Sequence, residues 1–221
     1  LYTDSPGNRF WYDTRPTLRK TVDDRATQVS NADVDQEIKD RLGKIRKEKP
    51  FAGIHICPAS SLDVPDEQTV RLVILGPDDE YNMSQKEDNA AIKSCEDILN
   101  NRGSSPRMYR NMLVFVAPDQ EQMSSLKKEI KLYLAWKSIE RDREVLNLDA
   151  AQNRETKENL SRYNNNVDSR IQETWCWLLV PYIDVAVSLK KTLWESCRIS
   201  GGADTIVAKS ARKMEYEESL I

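Results

Sequence analysis

The chain has 221 residues, with 33 Lys plus Arg against 36 Asp plus Glu and a net charge of −3. That length suits one large domain or two small ones, and 39% hydrophobic against 31% charged residues is polar for a globular protein yet too apolar for outright disorder. The charge balance excludes a broadly basic nucleic-acid binder and leaves only local basic patches; the longest apolar runs, Met112–Ala117 and Trp175–Val180, fall well short of the roughly 20 residues of a membrane span.

Leu1-Tyr2-Thr3-Asp4 has neither the basic start nor the apolar stretch of a signal peptide. Cys57, Cys95, Cys176 and Cys197 contain no CxxC pair, so the spacing is neither a zinc pattern nor the framework of a small secreted domain. Reduced structural thiols in a cytoplasmic protein are the expectation. The chain starts without Met and runs directly into Arg9-Phe10-Trp11-Tyr12, and it is expected to be a piece of a longer protein.

Pro6-Gly7-Asn8 signals a turn ahead of the aromatic cluster. Asp13 or Thr14 can cap a helix with Pro16 in its first turn. Leu18, Val22, Ala26 and Val29, then Val34, Ile38, Leu42 and Ile45, predict one long amphipathic helix, with a break conceivable at Ser30, ending before Lys49-Pro50. Phe51–Cys57 alternates as a strand, with His55 and Cys57 on one face. A loop over 58–68 leads to Val70–Leu75, a strand apolar enough to be buried on both faces, which Gly76-Pro77 stops. Ser84-Gln85-Lys86-Glu87 has capping-box form for a helix with Ala91, Cys95, Ile98 and Leu99 inward. Met112–Ala117 is a third strand, and Asp119 to Gln122 start a helix burying Met123, Leu126, Ile130, Tyr133 and Leu134.

Strand, helix, strand, helix at this spacing predicts parallel βαβ pairing. From Asp149 to Glu173 a polar stretch retains a helical stripe and predicts a projecting helical hairpin. Trp175–Val180 returns to the core and Pro181 ends it. Residues 185–199 fit strand or helix equally, and Ile206, Val207, Ala211 and Met214 mark a final helix. The expected fold class is α/β: a small, mainly parallel βαβ sheet covered by helices, with a long N-terminal helix and a helical C-terminal half. The expected segments are 1–50 (aromatic segment and long helix), 51–148 (α/β core) and 149–221 (helical extension and C-terminal segment).

Neither GxxxxGK[ST] nor GxGxxG occurs, so no standard phosphate loop is present. Asp66, Asp78 and Asp119 fall near predicted strand ends, where acids can share a divalent metal, although turn formation and helix capping use the same residues. Val73-Ile74-Leu75-Gly76-Pro77-Asp78-Asp79-Glu80 has a Walker-B outline that Gly76-Pro77 interrupts. His55 is the sole histidine and lacks the partners of a metal site or triad. Arg107 and Arg110, before a strand, are candidates to meet a phosphate or a partner carboxylate. Arg25 is the other arginine singled out.

Several segments share a pattern: Arg9-Phe10-Trp11-Tyr12-Asp13-Thr14-Arg15-Pro16 with Asp24-Arg25-Ala26, Asp63-Val64-Pro65-Asp66, and Val70 to Pro77. Arg110 to Asp119, Tyr133-Leu134-Ala135-Trp136-Lys137-Ser138-Ile139, Asp168 to Arg170 and Trp177 to Pro181 complete it. In this order they resemble the middle region of large AAA-type ATPases of prokaryotic anti-phage defence loci, similar to those of phage-growth-limitation and BREX-type systems. The resemblance implies a P-loop upstream in the parent protein, with ATP and Mg²⁺ bound there and no cofactor in this chain. It implies a non-catalytic accessory or coupling domain whose partners are the upstream ATPase core and other defence proteins or DNA, without a membrane. No catalytic residue carries over. An arginine reaching nucleotide in trans would be Arg110 or Arg25 on physical grounds. The residues themselves leave two alternatives: a metal-dependent nuclease-like or nucleotide-binding α/β domain, and a stand-alone DNA- or protein-binding module.

Overall fold

The computed structural model describes residues 2–4, 7–11, 17–85, 89–183, 192–201 and 204–216. In chain order come a hairpin of β1 (Tyr2–Asp4) and β2 (Gly7–Trp11), then helices α1 (Leu18–Gln28) and α2 (Asn31–Leu42). Next are β3 (Gly53–Ile56), β4 (Arg71–Ile74), α3 (Ala90–Asn100), a two-residue hairpin of β5 (Asn101–Arg102) and β6 (Ser105–Pro106), and β7 (Leu113–Pro118). The long helices α4 (Gln120–Arg141) and α5 (Ala150–Thr174) lead to β8 (Trp175–Ile183), β9 (Thr192–Arg198) and α6 (Ile206–Tyr216).

The main sheet runs β3-β4-β7-β8-β9. Its first three strands are parallel, with Leu72 opposite both Ile54 and Val114. The apolar runs at β4 and β7 sit inside it, and every residue of both strands is buried. The expected mainly parallel sheet is corrected to a mixed one, because β8 and β9 join antiparallel and supply half of the pairings. A pair of packed helices, rather than a single crossover helix, joins β7 to β8, so the chain returns running the other way.

The long N-terminal helix is two helices. Thr17 caps the first, its hydroxyl accepting from the Lys20 amide at 3.2 Å, while the expected caps Asp13 and Thr14 lie outside the described residues. Ser30 is extended (φ −72°, ψ 155°) and its hydroxyl accepts from the Asp33 amide at 3.1 Å, capping α2. Ser84 lies in a turn ahead of α3, whose N-cap is Asn89; Lys86 and Glu87 of the expected capping box lie outside the described residues. Residues 150–174 form one continuous helix packed along α4, not a hairpin of their own. The helical C-terminal half is likewise corrected, since it donates two strands to the sheet. Pro181 does not end β8: the strand continues to Ile183, with Pro181 opposite Trp194. Of the undecided stretch, residues 192–198 are strand and 185–191 lie outside the described residues.

One core joins the sheet to α2, α3, α4, α5 and α6 around Ile38, Leu72, Phe115, Leu126, Ile171 and Val207. A second cluster, Leu18, Val22, Ala135, Trp136 and Ile139, seats α1 on the distal half of α4. Arg41 welds α2 to α5 from a buried position. Its guanidinium donates to Glu37 at 2.8 Å and Asp168 at 2.6 Å and lies 4.5 Å from the centre of the Tyr133 ring. None of the four cysteines forms a disulfide. Among the described residues, no helix is long and apolar enough to cross a membrane.

Candidate functional site

In open α/β sheets, ligands favour the crevice beyond the carboxyl ends of the strands. Here that edge is closed largely by the protein's own caps. Asp119 follows β7, and its carboxylate does two jobs. One oxygen accepts from the Gln122 amide at 3.0 Å to cap α4, and the other accepts from Trp177 Nε1 at 2.8 Å. Trp175 donates its indole N–H to the Leu75 carbonyl at 2.9 Å. Tyr81 packs against Trp177 with ring centres 5.1 Å apart. After β4, Asp79 accepts from the Gly76 amide at 3.1 Å and from the Ser94 hydroxyl. What remains open is a cavity of about 390 Å³ between the loop after β3 and α3, bordered by Ser60, Asp79, Ser94 and Asp97.

The amino edge of the sheet is built around Arg107. This side chain is buried and donates to the carbonyls of Ile98 at 2.8 Å, Pro65 at 2.9 Å and Val64 at 2.9 Å. Burial draws its pKa below the ordinary guanidinium value, with the Asp66 carboxylate 3.9 Å away opposing that effect. Burial also works against the Asp66 carboxylate. The amides of Met108 and Tyr109, at 2.8 and 2.9 Å, outweigh it together with Arg107 and hold this carboxyl below the usual range. Arg107 and Asp66 thus clamp the 61–66 loop to the segment after α3.

Gly103 completes the clamp. It turns the β5–β6 hairpin at φ +62°, and its amide donates to the Ser61 hydroxyl at 3.1 Å. The backbone angle favours glycine, and a Cβ here would lie 2.7 Å from Leu62 Cδ2 and push that exposed side chain aside. Upon this frame Leu62 and Met108 are 60% and 79% exposed. Arg102 and Arg110 are exposed beside them, and neither forms an ion pair among the described residues. Among the described residues Arg110 donates to the Arg107 carbonyl alone, at 3.4 Å.

His55 lies on this side of β3. Its Nε2 is 3.2 Å from Arg71 Nη1, which can only donate, so the ring accepts there and is neutral. Burial, then the Arg71 charge, lowers its pKa below 6.5. Cys57 takes φ 45° at the end of β3 and does not share the His55 setting; burial raises its thiol to about 11.

The structure therefore brings Arg107 and Asp66 together and sets Arg110 beside them. It does not unite the three candidate metal ligands. Asp66 is held at the amino end of β7, and Asp119 follows its carboxyl end. Six residues of strand separate them by roughly 20 Å, far beyond the metal–oxygen distances of about 2.0–2.6 Å that a shared hard cation requires. Asp78 is exposed in the turn after β4. Among the described residues no group of three His, Cys, Asp or Glu is placed to hold a metal. Arg25 lies far from these, donating to Ser138 at 2.9 Å and Asp142 at 2.8 Å to lock α1 onto α4.

Two residues of functional type escaped the sequence reading, Arg41 and Lys209, both buried cations. A signal existed for each. Arg41 falls on the Val34, Ile38, Ile45 stripe, and Lys209 follows Ile206 by three, so both occupy inward-facing helical positions. No protein-family model, curated protein or solved structure matches the chain.

Proposed function

We propose that this chain is a non-catalytic accessory and coupling domain of a larger cytoplasmic AAA-type ATPase of an anti-phage defence system. In this reading ATP and Mg²⁺ belong to an upstream P-loop core, and the chain presents its amino-edge surface to a protein partner. The family resemblance of residues 9–181 supports the parentage. The observation that carries the coupling role is the rigid mounting of Leu62, Met108, Arg102 and Arg110 over a buried arginine. Exposed Met and Arg on a preorganised frame are the side chains that protein interfaces favour. Arg110, exposed on this frame, is the group offered to a partner carboxylate or, in trans, to a phosphate.

The test is calorimetric titration of the chain with Mg-ATP and with single- and double-stranded DNA at two salt concentrations, beside ATP turnover by the parent protein carrying Arg110→Glu or Met108→Asp. The expected result is silence toward Mg-ATP and altered turnover in the parent. ATP hydrolysis by the isolated chain would overturn the reading. Salt-dependent DNA binding lost in Arg110→Glu would instead make this surface the DNA-engaging part. The cavity of about 390 Å³ at the carboxyl edge favours a second reading, a nucleotide-binding α/β domain. Tight Mg-ATP binding would select it.

A further inference from the structure

A cavity of about 680 Å³ lies between the end of α2, the end of α5 and the start of α6. Lys209, on the first turns of α6, lines it while 7% exposed. Its ammonium has a single acceptor, the Gln172 carbonyl at 3.2 Å, and no carboxylate within 4.0 Å among the described residues. A buried ammonium without a counter-charge is unfavourable unless something else supplies one.

Of the four carboxylates around the cavity, two are ion-paired and a third accepts a hydroxyl. Asp168 pairs with Arg41 at 2.6 Å, Asp204 pairs with Arg212 at 2.6 Å, and Glu48 accepts the Thr205 hydroxyl at 2.9 Å. Glu173 stands at the exposed rim. The helix start is also satisfied: Gln172 Oε1 accepts from the Ile206 amide at 3.0 Å and Thr205 Oγ1 from the Ala208 amide at 3.1 Å. Lys44 and Arg46, both exposed at the cavity, form no ion pair among the described residues. Lys44, Arg46 and Lys209 thus line one cavity with no carboxylate within 4.0 Å of any of them among the described residues.

We propose that this cleft binds a small organic phosphate, with Lys209 as its buried counter-charge and Lys44 and Arg46 closing over the anion. Three unpaired cations match a multiply charged phosphate better than a singly charged carboxylate. The volume falls in the range of about 300–1,000 Å³ typical of small-molecule sites and exceeds the needs of a bare ion. The site is independent of the amino-edge surface and of any ATPase parentage.

The experiment is thermal melting and calorimetry of the 221-residue chain with inorganic phosphate and pyrophosphate, with acetate as the singly charged control at matched ionic strength. A saturable rise in Tm with pyrophosphate, Kd below about 1 mM, and none with acetate is expected. Lys209→Met keeps the stem and removes the charge. It should melt higher than the parent without ligand and bind about tenfold or more weakly. Should that variant not fold, Arg46→Glu at the exposed mouth reads the same site and should also weaken binding several-fold, whereas Arg143→Glu on the distant 142–149 loop should not. Absence of saturable binding, unchanged affinity in Arg46→Glu, or equal loss in Arg143→Glu would overturn the proposal.

Discussion

Trp177 donates its indole N–H to Asp119 across 58 positions, at 2.8 Å, while the other oxygen of the same carboxylate caps α4. A residue whose type and position suited a metal ligand is thereby occupied on both oxygens by the fold. Asp119→Ala removes the cap and leaves a nearly buried indole without an acceptor. A loss of about 2–4 kcal/mol is expected in denaturant titration. Asp119→Asn keeps one acceptor for the cap but turns its NH2 toward the Trp177 N–H, so it should recover only part of the stability. A rise in melting temperature with Mg²⁺ that disappears in Asp119→Asn would count against the capping role.

Arg107→Met leaves the carbonyls of Ile98, Pro65 and Val64 buried without their donor and frees Asp66 of its counter-charge. The expected destabilisation is about 3–5 kcal/mol by chemical denaturation. Arg107→Lys should recover only a minor part, because one ammonium cannot reach several divergent carbonyls at once. Equal stability of Arg107→Met and the parent chain would refute the clamp.

The pH dependence has a definite sign at His55. Its folded pKa lies below the ordinary 6.5, so below 6.5 the unfolded chain takes up the proton more readily. This contribution to stability is complete above 6.5 and is lost as pH falls from there through the folded pKa. Denaturant midpoints measured across that window should decline less steeply in His55→Gln. A steeper decline in the variant would reverse the assignment.

Thiol chemistry follows from burial. Cys57 and Cys176 are both raised to about 11 from 9.0, so each presents about a hundredfold less thiolate near neutrality than an ordinary cysteine. Iodoacetamide at mildly alkaline pH should label both slowly in the folded chain and rapidly in denaturant, as peptide mass mapping would show. Rapid labelling of Cys57 without denaturant would mean that the loop after β3 opens readily.

Much of the fold is legible where burial is complete. Leu72, Val73 and Ile74 form an apolar run covered on both faces, and between a loop and Gly76-Pro77 a run that short reads as an inner strand. Asp119 was legible as a cap for an equally local reason, its place between an apolar run and a helical stripe. The antiparallel return was not, since periodicity carries no strand direction, and Pro181 is tolerated because it lies past Leu179, where the pairing of β8 with β7 ends. The break at Ser30 was legible only as an option, because an apolar stripe runs on both sides of it. At the amino edge, Arg107 shows no local pattern; its acceptors come from residues up to 46 positions away. Arg41 and Lys209 were readable from phase, had charge at an inward position been weighed above charge as such.

The helices α4 and α5 leave and re-enter the sheet on neighbouring strands, and at 25 residues α5 extends about 37 Å. Mechanically the pair is a cantilever. Its root is pinned by the bond between Asp119 and Trp177, and its outer half is braced by α1 through Arg25 and Asp142. A load applied at the 142–149 tip is therefore delivered to the root as shear between β7 and β8, where the two strands run in opposite directions and the register already shifts between Ala117 and Pro118.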